Sequence, residues 1–451
     1  MLSIRLQDVK CFRDTGFVSI SPLTFLVGEN STGKSTFLAM YRIASDIVKG
    51  QTGLKFNEDP FDLGSFKDII HTHGGPKRRS ETFKIFTKVK LPATKGSSGG
   101  ELQSSIEFGH GGIEPRVIAK TITDTDTTLS GRLQENGDLV VSIKYKKKNY
   151  VFNLSRGKEA IVDRSWFIDF PLEEFVRFSS YFLFRPYIFK GLEVSKSSRV
   201  SKKTLNRLSE ALDKITERLH SLEARMASRP VAGAPVRSKP ERVYVPLSEA
   251  HSAEGAHAPI VMARLYRENQ EDWLSLVTIL DEFGKSSGLF NTVKIKPFGP
   301  SASDPFQVKF QITGYAHGLS DVGYGVSQVL PLLVDAALTT GRQQFLLQQP
   351  EIHLHPRAQA QLGTFMGALV KSRRKSFLVE THSDHIIDRV RIDVRNKRTV
   401  RAKDVLILYF ERSGSKFKIH PITIDDEGNL QGVPRGYRHF FLREEEKLIG
   451  I

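Results

Sequence analysis

The segment that most constrains the fold is residues 28–36, GENSTGKST, which matches the phosphate-binding pattern G-x-x-x-x-G-K-[ST]. The apolar run 23–27 predicts a buried strand before it, and residues 37–44 continue at helical spacing after it. In such a strand–loop–helix unit the backbone N–H groups and the helix N-terminus bind phosphate oxygens. The sequence therefore predicts a nucleoside triphosphate site.

The fixed positions of this loop have predicted roles. Lys34 is expected to reach the β- and γ-phosphates, and the Ser35 hydroxyl is expected to ligate Mg²⁺. Gly33 and Thr36 complete the pattern on either side. A glycine-rich turn without a ligand is the alternative, and it is disfavoured because every fixed position is filled and both flanks fit.

Composition describes an ordinary globular chain of 451 residues, with 39% hydrophobic and 26% charged residues. The single cysteine, Cys11, excludes an intramolecular disulfide and a cysteine-only metal site. Residues 2–10 are too charged for the apolar part of a signal peptide, and no uncharged apolar run approaches the roughly 20 residues that cross a bilayer. We therefore expect a cytoplasmic protein without a membrane partner.

A formal charge of +16 is the strongest global indication about partners, because a basic surface attracts phosphate backbones through counterion release. DNA bound through this basic surface is therefore a candidate partner. The positive residues cluster at 77–79, 144–148, 371–375 and 389–403. Each run taken alone is more often a solvated face than a binding site.

Leucine, isoleucine and methionine recur after residue 196 at alternating spacings of three and four, from Leu205 to Met226. This a/d seam predicts one amphipathic helix of about three heptads. Either the helix docks on its own domain, which is slightly favoured, or it forms an intermolecular coiled coil. Residues 231–240, rich in Pro, Gly and Ala, are predicted to be a mobile linker.

Three further segments carry chemistry-bearing residues. An apolar strand at 345–347 leads into Gln348 and Gln349, where nucleotide-hydrolysing folds place a Mg²⁺-associated carboxylate and a water-activating acid. A second strand, 376–380, is followed by Thr-His-Ser with His382 at its centre. Upstream of both lies a glycine-rich turn that contains Gly325 and Ser327.

Taken in order, these four segments resemble the ABC-type branch of P-loop ATPases, and more closely the SMC-like and OLD-like AAA ATPases of bacterial defence operons. The resemblance is carried by residues 28–36, 323–328, 349–356 and 380–383. It implies an α/β fold: a split ABC-type P-loop ATPase domain, a mixed sheet flanked by helices, with a β-rich and helical or coiled-coil insertion. The implied cofactors are ATP and Mg²⁺.

The same resemblance implies roles and an organisation. ATPase domains of this type dimerise head to tail, so Ser327 and Gly325 would contact the nucleotide held by the partner's Lys34 as hydroxyl and N–H donors. Asn30 would line the phosphate loop, Gln349 would occupy the base or water-positioning slot, and His382 would be the switch histidine. A homodimer or a higher homo-oligomer is expected.

The expected domains follow from these motifs. They are an ATPase lobe with the phosphate loop (1–75), a β-rich part (76–195), the amphipathic helix and linker (196–240), the second ATPase half with signature, Walker B strand and switch histidine (241–410), and a short C-terminal extension (411–451).

One departure from the family pattern is Gln348, whose position usually holds an acid. An amide oxygen can still meet Mg²⁺ or its water, but it cannot take a proton or offset the metal's charge. Slow or absent hydrolysis is therefore expected. The residue is either a Glu→Gln change that traps the ATP-bound state or a natural feature of a slow ATPase. We expect Gln348→Glu to raise ATP turnover, and an unchanged rate would contradict this. Glu351 and Glu380 are the nearest carboxylates that could partly substitute.

Two other sites are disfavoured. Imidazoles and a carboxylate in residues 353–355 and 382–385 suit zinc, but His382 already has a nucleotide role. The roughly forty residues after Phe410 are too few for the nuclease domain that OLD-like ATPases often carry. A cutting activity would therefore belong to a separate partner protein.

Three functions remain for comparison. The leading hypothesis is an ATP-gated sensor or scaffold of an anti-phage system that holds or activates a separate effector such as a nuclease. The alternative is a DNA-repair or DNA-maintenance ATPase that clamps DNA across its dimer, although the short heptad helix argues against a long-armed clamp. A transporter subunit fits least, because the insertions and the basic charge find no use there.

Overall fold

A computed structural model describes most of the chain. The described residues are 2–72, 79–92, 99–156, 167–168, 171–184, 192–196, 201–225, 228–246, 251–373, 375–437 and 447. The chain divides into two compact units, each built from separate segments. The first unit comprises Met1–Ser19, Thr36–Arg229 and Arg412–Lys418, and the second comprises Ile20–Ser35, Pro230–Glu411 and Ile419–Ile451. The division into five parts made from sequence stays a prediction.

The first unit contains a ten-stranded sheet. Its strands are β1 (Leu2–Val9), β2 (Phe12–Asp14), β3 (Val18–Ser19), β7 (Phe83–Leu91), β8 (Gly100–His110), β9 (Pro115–Asp124), β10 (Thr127–Leu133), β11 (Leu139–Tyr145), β12 (Lys148–Arg156) and β13 (Leu192–Lys196). The order is β13-β12-β11-β10-β9-β8-β7-β1-β2, with β3 on β1. A small ribbon joins β5 (Asn57–Glu58) to β6 (Phe61–Asp62).

Alternation in the sequence explains this sheet. Strand β7 reads FKIFTKVKL, and its residues are buried at every second position over most of its length, as expected when one face packs on a core. Aromatic rings fill that core: Phe83 stacks on Phe108 with centroids 4.9 Å apart, and Phe56 meets both edge-on. Because β1 pairs with β7, the first strand of the chain belongs to this sheet.

The helices of the first unit are α1 (Lys34–Val48), which begins at the end of the phosphate loop, α2 (Phe66–Ile69), α3 (Leu172–Phe184) and α4 (Lys202–Arg225). Helix α4 is the amphipathic helix that the heptad seam predicts. Leu208, Leu212 and Ile215 are fully buried and Leu219 and Leu222 are 4% exposed, so the seam is covered within the unit. The docked-helix alternative is therefore the one that the structure shows for the described residues.

The second unit contains the sheet that carries the phosphate loop. Its strands are β14 (Val231–Gly233), β18 (Gln343–Gln348), β19 (Lys375–Glu380), β4 (Leu23–Gly28), β20 (Val405–Ser413), β21 (Lys416–Ile424) and β22 (Leu430–Gln431), in that spatial order. The neighbours from β14 to β20 pair in parallel. Parallel strands buried on both faces require continuous apolar runs, and the Phe-Leu-Val and Phe-Leu-Leu runs of β4, β18 and β19 meet this need.

Helices and a smaller sheet complete the second unit. They are α5 (Ala258–Glu268), α6 (Gln270–Ser287), α7 (Tyr324–Leu338), α8 (Pro356–Arg373), α9 (Asp384–Arg395), a short 3-10 turn (Ala402–Asp404), and the sheet β15 (Thr292–Pro297), β16 (Phe306–Gln311) and β17 (Ala316–Gly318). The fold is thus a mixed α/β P-loop architecture with a β-rich and helical insertion, as predicted. In the described part of the chain, no helix combines the length and the apolar character needed to cross a membrane.

The prediction of a mobile linker at residues 231–240 is wrong. Val231–Gly233 forms strand β14 and pairs in parallel with residues 345–347 of β18. The next residues are held as well, because the Ala234 N–H donates to the Ala253 carbonyl at 3.0 Å and the Ser238 N–H donates to the Glu254 carbonyl at 2.9 Å. The glycine and proline residues of this segment predict a loop, but three residues beside an open sheet edge are enough to form a strand.

Candidate nucleotide-binding site

The phosphate loop leaves β4 at Gly28, where only glycine fits. Its φ is +141°, and a Cβ built there would lie 2.4 Å from the Phe410 carbonyl oxygen on the neighbouring strand β20. Gly33 also has a positive φ of +95°, immediately before α1 begins at Lys34. The glycines of the motif are therefore required by the backbone, and they aim the loop at the N-terminus of α1.

Lys34 lies inside the loop. Its Nζ donates to the Glu29 carbonyl at 2.7 Å and to the Gly28 carbonyl at 3.0 Å, and its side chain is only 4% exposed. Burial lowers the pKa of Lys34, and the charge of Glu380 opposes that shift. The Thr32 hydroxyl also donates to the Glu29 carbonyl, at 2.8 Å. The loop is thus closed on itself around a buried ammonium group.

The contact that defines the site joins the loop to strand β19. The exposed Ser35 hydroxyl donates to the Glu380 carboxylate, 2.8 Å from Oε2 and 3.0 Å from Oε1. Glu380 is the last residue of β19 and is 5% exposed. The carboxylate nearest the predicted Mg²⁺ ligand therefore comes from the E-T-H-S segment. From the sequence, Glu380 is expected only as a partial substitute for an acid at position 348, and its position at the end of a strand is the local signal for a role in the site.

Gln348 lies directly beside Glu380, since the two residues are register partners in the parallel pair of β18 and β19. Its Oε1 is buried and has no hydrogen-bond donor within the described part of the protein. A buried acceptor without a donor is costly, so this oxygen requires a ligand, a water or a cation. Gln349 follows with φ +43°, and its N–H donates to the Glu380 carbonyl at 2.7 Å.

Glu351 connects the β18 loop to the β19 loop. Its Oε1 accepts the His382 N–H at 2.7 Å, whereas its Oε2 is buried without a donor among the described residues. Burial raises the pKa of Glu351. Desolvation and then the charge of Lys34 lower the pKa of His382, so its imidazole is neutral at neutral pH. His382 therefore lies within electrostatic reach of Lys34.

The signature-like residues begin α7. Gly323 is the N-cap residue, and a Cβ built there would meet no atom within 4 Å. Gly325 is buried, and a Cβ on it would lie 2.9 Å from the His353 carbonyl oxygen. Ser327 is 6% exposed, and its hydroxyl donates to the Tyr324 carbonyl at 2.9 Å. Within one chain this helix end therefore packs on the loop that follows β18.

The remaining predicted ligands, Asn30 and Thr36, flank the loop, and Asn30 is exposed while Thr36 is half-buried. Oxygen atoms from three segments are suitable ligands for Mg²⁺, which prefers oxygen. They are the Ser35 hydroxyl, the Glu380 carboxylate and the Gln348 amide oxygen, which has no hydrogen-bond donor among the described residues. The N–H groups at the start of α1 and the ammonium of Lys34 fit a triphosphate. The residues present therefore suit both cofactors.

A different set of histidines forms a cluster. Among the described residues, the donor atoms of His251, His257 and Asp335 lie within 4.8 Å of one another. However, the Ser252 N–H donates to Nδ1 of His257 at 3.2 Å, so the ring proton is on Nε2, which is 2.8 Å from Asp335 Oδ1. His251 Nε2 also lies 3.4 Å from Asp335 Oδ2, so both histidines contact one carboxylate and tie residues 251–257 to helix α7.

The family model described as "AAA domain, putative AbiEii toxin, Type IV TA system" matches residues 23–388. This span covers most of the chain, from the first residue of β4 through the four motif segments. The chain belongs to this AAA family. Membership supports nucleotide binding and ATPase chemistry at the site described above, and the OLD-like subtype stays a prediction. No curated protein matches this family member significantly.

Solved structures similar to this AAA family member include three SMC heads. One is an Smc head bound to the C-winged helix domain of ScpA, 10% identical with a TM-score of 0.45, covering 93% of this chain and 97% of that one. Another is an Smc head with an extended coiled coil bound to the C-terminal domain of ScpA from Pyrococcus furiosus, 9% identical with a TM-score of 0.42, covering 99% and 100%. The SMC head from Thermotoga maritima is 13% identical with a TM-score of 0.36, covering 93% and 97%.

Proposed function

We propose that this protein is an ATP-gated scaffold or sensor whose subunits assemble head to tail around bound ATP and Mg²⁺. The observation that carries the proposal is the Ser35–Glu380 hydrogen bond beside the buried Lys34, because it brings together a metal-ligating hydroxyl, a carboxylate and a phosphate-binding cation. Bound Mg²⁺ would neutralise phosphate charge, and the residues of the loop would hold and orient the triphosphate.

Each residue of the site has a separate proposed role. Lys34, Gly33, Asn30 and Thr36 hold the phosphates, while Ser35, with Glu380 and the amide oxygen of Gln348, supplies oxygen atoms on the metal side. Gly325 and Ser327 would serve the nucleotide of the partner subunit, with the Ser327 hydroxyl released from the Tyr324 carbonyl. The neutral imidazole of His382 would contact the γ-phosphate or the attacking water.

Hydrolysis in this assembly is proposed to be slow. Gln348 would replace the usual acid on the metal side, and Gln349, in the base or water-positioning slot, carries an amide that cannot accept a proton from water. The nearby Glu351 has a carboxylate of raised pKa, but one of its oxygens is already committed to the His382 N–H. ATP would therefore act first as a cross-link between subunits and only slowly be consumed.

A defence role in the cytoplasm is the broader setting that we propose. The matching family description names a toxin of a toxin–antitoxin system, which supports a growth-arresting or defensive role. We propose that a separate effector protein, most simply a nuclease, carries out the damage. A second candidate, a clamp that encloses DNA across the ATP-locked dimer, is favoured by the formal charge of +16.

Assembly in the presence of Mg²⁺-ATP tests the proposed function. We expect light scattering after size exclusion to show ATP-dependent dimers or larger oligomers for the natural chain and monomers for Lys34→Ala. Gly323→Gln is expected to remain monomeric with ATP still bound, because a Cβ at this exposed position meets no atom within 4 Å and the rest of the side chain would fill the signature surface.

The matched control is Ser303→Gln, which adds the same side chain at another exposed position of the second unit and should assemble normally. If Gly323→Gln assembles as well as this control, the head-to-tail arrangement is rejected. If the natural chain binds ATP but stays monomeric, the gating proposal fails.

A further inference from the structure

The second unit, which carries the phosphate loop, has a strongly basic exposed surface away from that loop. It comprises Lys371 near the end of α8, Arg395 at the end of α9, and Lys397, Arg398 and Lys403 in the connection to β20. All five side chains are exposed. We call this set the α8–β20 basic patch.

The acidic residues of this stretch do not neutralise the patch. Asp393 is 2% exposed, and its carboxylate accepts the hydroxyls of Thr364 at 2.7 Å and Thr399 at 3.1 Å. Asp404 is 8% exposed and pairs with Arg401 at 2.6 Å. Within residues 393–404 both carboxylates therefore face inward or are paired. Outside this stretch, Asp426 and Glu427 are exposed directly before Gly428, which packs against Arg395. The Arg395 end of the patch thus has acidic neighbours, and the outward positive charge is concentrated at Lys397, Arg398 and Lys403.

Backbone packing holds the cations of the patch close together. The Lys371 Nζ donates to the Arg398 carbonyl at 2.9 Å. A Cβ built on Gly367 would lie 2.9 Å from the Thr399 hydroxyl, so the connection lies directly on α8. Favourable interaction with helix C-termini accounts for Arg395 and Lys371, but Lys397, Arg398 and Lys403 lie beyond the helices and gain little from them.

The patch lies at the opposite edge of the sheet from the nucleotide site. Strand β19 starts at Lys375, beside the end of α8, and finishes at Glu380, which contacts Ser35. Five residue steps of extended chain span about 17 Å. Strand β20 likewise starts at Val405, directly after the patch. A molecule bound at this edge would leave the phosphate loop and the signature helix accessible.

We infer that the α8–β20 basic patch binds the phosphate backbone of nucleic acid, at a place separate from the ATP site. Five exposed cations suit a regular array of phosphates, because such binding relies on counterion release. A protein partner usually needs a buried apolar or aromatic anchor, and in the connection that carries three of these cations Val400 is only 3% exposed. The exposed Ile392 lies on α9, outside that connection. This inference does not depend on the proposed ATP gating.

The test measures binding of the full chain to a fluorescent DNA duplex of about 30 base pairs at about 50 to 200 mM KCl. We expect the triple variant Lys397→Glu, Arg398→Glu, Lys403→Glu to lose at least about tenfold in affinity. Its log–log salt slope should fall by about 2 to 3, since each lost phosphate contact removes roughly 0.9.

The matched control reverses three exposed lysines in the first unit, Lys144, Lys147 and Lys148, around the turn between β11 and β12, and so changes the net charge equally. It should retain most of the affinity and slope. Melting temperatures exclude misfolding. Equal losses in both triple variants would show that only net charge matters, and unchanged binding in the patch variant would point to an acidic protein partner; either result overturns the inference.

Discussion

Glu380→Gln is expected to weaken the binding of Mg²⁺-ATP by about 10- to 100-fold, the usual cost of removing a group that supports a metal ligand. The reason is the direct hydrogen bond from Ser35 to this carboxylate, 2.8 Å long, at the end of the strand next to the phosphate loop. Binding of ATP without metal should change little, because Lys34 and the loop amides remain. Titration of a fluorescent ATP analogue with and without Mg²⁺ measures the difference.

A double variant shows whether the carboxylate itself matters. Gln348 and Glu380 are register partners on adjoining strands, so Gln348→Glu combined with Glu380→Gln moves the charge sideways by one strand spacing. We expect this exchange to recover part of the lost Mg²⁺ dependence. If Glu380→Gln alone binds Mg²⁺-ATP like the natural chain, Glu380 has no part in the metal site. The increase in turnover expected for Gln348→Glu stays a prediction.

Gly28→Ala is expected to destabilise the ATP-binding unit by at least about 2 kcal/mol. Two effects add: a φ of +141° is strained for any residue with a Cβ, and that Cβ would lie 2.4 Å from the Phe410 carbonyl oxygen. Because this oxygen belongs to the backbone of β20, the clash is relieved only by separating two central strands. Loss of ATP binding should accompany a lower urea midpoint, followed by circular dichroism.

Gly323→Ala is the matched control for this substitution. Gly323 has φ −56°, and a Cβ on it would meet no atom within 4 Å, so the added methyl group should leave the urea midpoint nearly unchanged. A Gly28→Ala protein as stable as this control would show that the loop and β20 are less closely packed than the structure indicates.

Local patterns in the sequence predicted most of the elements around the site. The motif and its apolar flanks predicted β4 and α1. The seam of α4 and the strands that end at Gln348 and Glu380 were also found, because periodicity and strand-terminal polar residues are local signals.

Pairings between distant segments could not be predicted in the same way. Ser35 and Glu380 are 345 residues apart, and no local pattern states that β19 lies next to β4. The metal-side position was therefore assigned to Gln348, where an acid is usual, and the carboxylate of Glu380 was expected only as a partial substitute. The error at Val231–Gly233 has the same origin, since a strand of three residues is specified by its neighbour β18 and hardly by its own sequence.

The pairing of β4 with β20 has a consequence for how the protein is made. Leu23 pairs with Val405, so the strand that leads into the phosphate loop gains one of its two neighbours only after the long intervening stretch of chain has been synthesised. At about 5 to 20 residues per second, about 20 to 75 s of translation separate the two strands. A chain that stops before β20 therefore lacks a finished nucleotide site and cannot be recruited into an ATP-dependent assembly.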